Sequence, residues 1–264
     1  MNVETNNFTH NLREWRRLRK MSQLELALAA EVSQRHVSWL ETGRSQPSRE
    51  MVLKLSDAMN VPLRERNNIL NSAGFANIYT EKDLNEPAME SVKNILSEML
   101  EHHEPYPAYV IDRHWNIKMQ NNATNIMFSI AGDIETTWHA VGDTGEKNMA
   151  LLTVHPKGLR KYISNWDKVA GQFIRRLKKE ALESADSELM MRYERLASLV
   201  DLPDEQPTEG LLPMLPFQVD LGGLPLSLCS VISTFGTAQD ITAHELRVET
   251  FYPMDEQTSK FFKE

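Results

Sequence analysis

One cysteine, Cys229, stands among 264 residues. A single thiol excludes an intramolecular disulfide and fits a reducing compartment such as the cytoplasm. Within its apolar run it reads first as a small core residue, with redox sensing as the rarer alternative. No apolar run approaches the roughly 20 residues of a membrane span, and the polar stretch from Met1 to His10 lacks a signal-peptide pattern. Phosphate-cradling glycine loops, a Ser or Cys nucleophile in a recognisable setting, internal repeats and metal-ligand spacing are missing too. Gly222-Gly223 is only a turn pair. The tract His102-His103-Glu104 lacks the i, i+4 spacing of two helical ligands and reads as a solvated helix end. No enzyme activity, metal or cofactor is therefore expected.

What is present is unevenly charged. The net charge is −8, yet residues 1–75 carry 11 Lys and Arg against 8 Asp and Glu, whereas residues 76–264 carry 18 against 29. A basic head on an acidic body suits a duplex-binding module joined to a second function. The length also favours two domains.

The head is organised around residues 22–44. Two short amphipathic patterns lie close together, the first burying Leu24, Leu26, Ala27 and Ala30, the second Val37 and Leu40. Ser22 and Ser33 stand at N-cap positions and Gly43 at a C-terminal stop. Periodicity alone leaves open an ordinary αα-hairpin or a DNA-reading helix-turn-helix. Before this pair, Phe8 to Met21 reads as a helix with Leu12, Trp15 and Leu18 inward and Arg13, Arg16, Arg17, Arg19 and Lys20 on a mostly solvated basic side. After it, Ser48 caps a helix through Val52, Leu53, Leu55 and Met59, and Pro62 opens another, ended by Gly74.

From Leu12 to Phe75 the chain resembles Xre-like helix-turn-helix domains, through Ser22-Gln23-x-Glu25-Leu26-Ala27 and Val32-Ser33-Gln34-x-x-Val37-Ser38-x-Leu40-Glu41-x-Gly43-Arg44. Glu31 replaces the family's usual glycine, at a cost of roughly 1 kcal/mol in backbone strain. The resemblance implies a five-helix, lambda-repressor-like fold that binds double-stranded DNA; one such module makes too few contacts for a specific site, so a homodimer is expected. Gln34 and Arg35 then read base edges, Gln23 and Arg44 hold phosphates, and Ser33, His36, Ser38 and Trp39 complete the contact set. Trp39 has two readings, a thymine-methyl contact or packing on the sugar-phosphate edge.

A polar linker (76–87) and a helix carrying Val92, Ile95, Leu96, Met99 and Leu100 lead to a second domain at 105–264, so the expected division is 1–75, 76–104 and 105–264. In that domain, 108–111 and 115–119 form a hairpin, and Asn121 to Ile130 a helix with Ile126, Met127 and Ile130 inward. Residues 132–146 read as irregular around an anchored Trp138, and a short helix spans Asn148 to Thr153. A long amphipathic helix runs from Lys157 to Glu183 and another from Asp186 to Val200; these two are the candidate dimer interface. A hairpin turning at Gly222-Gly223, a strand alternating as Leu246, Val248, Thr250 and Tyr252, and a terminal helix complete an α+β unit with an antiparallel sheet of about five strands.

That order matches PAS-like sensory domains. The tracts Glu104-Pro105-Tyr106-Pro107-Ala108, Asp112-Arg113-His114-Trp115-Asn116 and Leu246-Arg247-Val248-Glu249-Thr250-Phe251-Tyr252-Pro253-x-Asp255 resemble MmyB-like regulators. The resemblance implies a PAS-like domain that binds a small apolar, fatty-acid-like effector. The expected lining is Ile117, Met119, Ile126, Met127, Trp166, Phe173, Phe217, Leu228, Val231 and Phe235. The competing reading is a second domain used only for dimerisation or for protein or peptide binding. An enzyme with a DNA-binding head is the third.

Overall fold

The computed structural model describes residues 5–130, 132–142, 145, 147–201, 214–220 and 222–264. The chain divides into two compact units. One runs to Lys82 and takes in Ala238–His244; the other is Asp83–Thr237 with Glu245–Glu264.

The first unit holds helices α1 (Thr5–Leu18), α2 (Gln23–Ala29), α3 (Gln34–Glu41), α4 (Arg49–Ala58) and α5 (Leu63–Ser72). Their inward stripes meet in one core built on Leu12, Leu26, Val37, Leu40, Val52, Leu55 and Leu70. Full burial of each such side chain stabilises the fold by roughly 1.5–3 kcal/mol. Leu24 departs from expectation and is 50% exposed. It lies two residues from Leu26, too far round a helix to share its face. Ser22 and Glu25 form a reciprocal capping box, and Ser33 and Ser48 cap α3 and α4. Such caps contribute about 1 kcal/mol each. Glu31 takes a left-handed backbone at φ 49°, as the turn between α2 and α3 requires.

The basic side of α1 is less solvated than its composition implied. Arg13, Arg16 and Arg19 donate to backbone carbonyls of Glu41, Met21 and Met59, and Arg17 pairs with Glu14. The first part of the expected linker is also fixed. Asn67 accepts from the N–H groups of Ile78 and Tyr79 and donates to Tyr79 O. Thr80 then bonds Asp240 and accepts from Ile241 N, so the segment 238–244 belongs to this unit.

The second unit opens with α6 (Glu90–His102), followed by β1 (Ala108–Ile111), β2 (Ile117–Gln120), α7 (Asn122–Ile130), α8 (Ile134–Ala140), α9 (Met149–Val154), α10 (Trp166–Ser184) and α11 (Ser187–Ala197). Strands β3 (Phe217–Asp220), β4 (Pro225–Thr234) and β5 (Arg247–Pro253) follow, with α13 (Glu256–Lys263) at the end; α12 (Ile241–Glu245), between β4 and β5 in sequence, falls but for Glu245 in the first unit. The sheet is antiparallel, in the order β2-β1-β5-β4-β3. One face carries the main core, centred on Tyr109, Trp115, Phe173, Ile174, Leu177 and Phe251. The other packs under α6 through Leu96, Leu100, Ala108, Val110 and Val248.

Several expectations are corrected here. Residues 134–140 form a helix, capped by Asp133, rather than an irregular stretch, although Trp138 is buried as expected. The long helix starts only at Trp166. Before it, Ile163 bridges Val219, Ser164 donates to Gln218 O, and Asn165 bonds Pro216 O and Gln218 N, which commits that backbone to the edge of β3. Ile95 is 47% exposed. His103 is not solvated, since Nε2 bonds Phe251 O at 2.8 Å, and Glu104 accepts from the first N–H groups of α7. The strand alternation fails on β5, where Val248, Glu249, Thr250 and Phe251 are all buried and Tyr252 is exposed, because both faces of this central strand are covered over that stretch. The expectation for Ile130 lies outside the described side chains.

Candidate functional site

In the first unit the site is the outer face of α3. Val37, Leu40 and Glu41 point inward, which leaves Gln34, Arg35 and Trp39 exposed and His36 and Ser38 half-buried. Ser33 accepts from His36 N at 3.2 Å, and Arg44 is exposed just past the helix. The Arg35 guanidinium lies 4.4 Å over the Trp39 ring. Stacking of this kind orients the fork of an arginine before it meets a base.

Beneath this face sits Glu41, 2% exposed. Arg16 pairs with it through two bonds of 2.6 and 2.9 Å, and Gln23 Nε2 donates at 2.8 Å. Gln23 is therefore held by a carboxylate. Burial alone would raise the Glu41 carboxyl. The bonds from Arg16 and Gln23 and the charges of Arg16 and Arg13 outweigh that and hold it below its ordinary range. The sequence carried a signal for Glu41 that composition hides: it completes the i, i+3, i+4 stripe with Val37 and Leu40.

The second unit encloses a small apolar cavity of about 70 Å³. Its walls come from the sheet (Tyr109, Phe217, Val219, Leu228, Glu249, Phe251), α7 (Met127, Phe128), α9 (Met149, Thr153), the turn Leu159–Ile163 and Phe173 of α10. Four expected lining residues are there: Met127, Phe173, Phe217 and Leu228. Ile117 and Trp166 pack against the same core without reaching the cavity. Met119 and Phe235 lie in the cluster on the opposite face of the sheet. A register shift between Val110 and Ile111 sets Met119 opposite Val110 but Ile117 opposite Ile111, so the bulge separates the two side chains. Ile126 and Val231 are each 45% exposed. Ile126 lies off the inward stripe Ala123, Thr124, Met127 and Phe128 of α7. Val231, three residues from Leu228, must face the other way on a strand.

The Arg176 and Arg247 guanidiniums lie 4.4 and 5.3 Å from the Trp115 ring centroid. Trp115 Nε1 donates to Glu180 at 2.8 Å, and Arg176 and Arg247 pair with the same carboxylate. A wider cleft of about 390 Å³ opens between His114, Asn148, Leu177 and α11. Two side chains on its rim are already paired, Arg192 with Glu188 and His114 with Asp186. The smaller cavity is the more apolar of the two. Among the described residues, no cluster of three metal-ligating side chains occurs, and no helix is long and apolar enough to cross a membrane.

A five-helix head presenting a reading helix, joined to an α+β unit with an internal cavity, defines a DNA-binding transcription regulator with a ligand-binding domain. The chain belongs to the MmyB-like transcription regulators: residues 92–264 match the MmyB-like transcription regulator ligand binding domain, and residues 12–66 match a helix-turn-helix family. A comparison with curated proteins gives no match.

Proposed function

We propose that this regulator is a cytoplasmic homodimer without catalytic activity, whose second domain senses a small apolar, fatty-acid-like effector and thereby alters DNA binding. The observation that carries the reading is the apolar cavity, enclosed by Met127, Phe128, Phe173, Phe217, Leu228 and Phe251. Sheet order β2-β1-β5-β4-β3, with the helices between β2 and β3 covering one face, supports the PAS-like comparison. Gln34 and Arg35 supply base readout, with Gln23 and Arg44 on phosphates. The effector acts only through its differential affinity for two arrangements of the protein. The test is mass spectrometry of lipids released from the denatured, purified protein, followed by operator titration with and without the recovered compound. A co-purifying apolar molecule that shifts operator affinity is expected. No such molecule, and no stabilisation by any acyl compound, overturns the sensing function and leaves a domain for dimerisation or protein binding.

A further inference from the structure

Glu249 is the one carboxylate in the mostly apolar cavity lining, which also holds the Tyr109, Tyr162 and Thr153 hydroxyls, and it is 3% exposed. Tyr109 Oη donates to Glu249 Oε2 at 3.0 Å, and Arg176 Nη1 reaches Oε1 only at 3.5 Å, from the Trp115 side. A carboxylate accepts about four hydrogen bonds, so this one has unused capacity on a cavity wall. Burial and the adjacent Glu249 charge push the Tyr109 phenol well above its ordinary range, so it stays protonated with that proton given to Glu249. Thr153, also in the lining, gives its proton to Met149 O at 2.8 Å. The lining contains no Lys, Arg or His. The group joined to Glu249 is already balanced, with Arg176 and Arg247 against Glu180 and Glu249.

An effector carboxylate beside Glu249 would face a like charge, find no cation in the lining and add an uncompensated charge in an apolar site. We infer that the effector's inward end is a neutral hydrogen-bond donor, a hydroxyl or an N–H, directed at Glu249. A free fatty acid then enters only with its carboxylate left at the mouth. This inference rests on the apolar-effector reading above.

The test is calorimetric titration of the full-length protein at pH 7 with 1-decanol, decanoate and methyl decanoate, each below its aggregation limit. Decanol should bind at least about tenfold more tightly than decanoate or the ester, which present only acceptors. In Glu249→Gln, whose amide donates as well as accepts, the preference over decanoate should fall below about threefold. Tyr109→Phe keeps the carboxylate and should keep the preference, even if it lowers stability. A merely structural role for Glu249 would weaken all three ligands alike and leave their order unchanged. Decanoate binding as tightly as decanol to the unmodified protein overturns the inference while leaving the apolar-effector reading intact. Failure of all three to bind overturns both.

Discussion

Glu41 is a buried carboxylate beneath the helix proposed to read DNA. It sits under α3, closes two bonds with Arg16, and holds Gln23 at the start of α2. Removing one partner of a buried, hydrogen-bonded pair leaves the other uncompensated, typically at about 3–5 kcal/mol. Glu41→Ala should therefore lower the stability of the helical unit by about 3 kcal/mol in denaturant melts, and should weaken operator binding by releasing Gln23. The pH dependence has a definite sign. The folded-state carboxyl lies below its ordinary value of 4.5, so the pair's stabilisation is complete above that value and is lost as pH falls through the lower, folded-state one. Acid titration of the unmodified protein should show this loss below about pH 4.5, and Glu41→Gln should flatten it. At the outer surface, Arg35→Ala should cost about 1–3 kcal/mol on operator and little on random duplex, whereas Arg44→Ala should weaken both. Equal losses on both duplexes in competition binding would sink that division of labour.

At the scale of elements, the turn between α9 and α10 decides the shape of the cavity wall. Gly158 sits so close to the preceding turn that an added Cβ would lie 2.0 Å from Leu152 O. Backbone cannot yield as a side chain tip does, so Gly158→Ala should destabilise the second unit by about 1–3 kcal/mol, and shift Leu159, Tyr162 and Ile163 in the wall. A thermal melt with unchanged midpoint would contradict this. The same turn marks what the sequence could and could not disclose. Helices with strong stripes and serine caps were legible, as α2, α3 and α4 show, because local periodicity and capping chemistry specify them. The break at 163–165 was not, since it arises from pairing with β3, some 50 residues on. Four of the ten residues expected to line the cavity do so, legible as large apolar side chains. Met119 lies on the opposite face because a bulge reverses its direction, and Val231 because strand parity, which is present in the sequence, sets it opposite to Leu228. Phe251 and Glu249 were hidden by the apolar alternation of Leu246, Val248 and Thr250 on the opposite face of β5.

At the scale of the molecule, two facts bear on how an effector reaches DNA. The chain leaves the second unit after β4, contributes residues 238–244 to the first, and returns in β5, which carries Glu249 and Phe251 of the cavity wall. The cavity itself, at about 70 Å³, is well short of the roughly 300–1,000 Å³ of typical ligand sites, so an acyl-sized occupant must displace its walls. Displacement is what gives a ligand different affinities for two arrangements, and linkage then requires DNA to change ligand affinity by the same factor. A head of this size makes few base contacts, so two-fold pairing over half-sites about 34–36 Å apart is the expected binding form. Light scattering should find a dimer at micromolar concentration, with or without operator. On α10 and α11, Phe173, Ile174, Leu177, Leu189 and Leu196 are buried in the unit itself, so an interface on these helices would use their outer faces, where Leu182 and Met191 are exposed. Asp240→Ala removes the bond to Thr80 that helps tie residues 238–244 into the first unit, without touching the cavity or α3. If that tie carries the coupling, the variant should bind effector and operator separately with affinities within about twofold of the unmodified protein. The effect of effector on operator affinity should meanwhile shrink from the usual 5–150-fold range towards unity. Titrating operator at zero and saturating effector, then effector at zero and saturating operator, measures the coupling twice. The two values must agree in each protein, and a coupling in Asp240→Ala equal to that of the unmodified chain would remove this segment from the pathway.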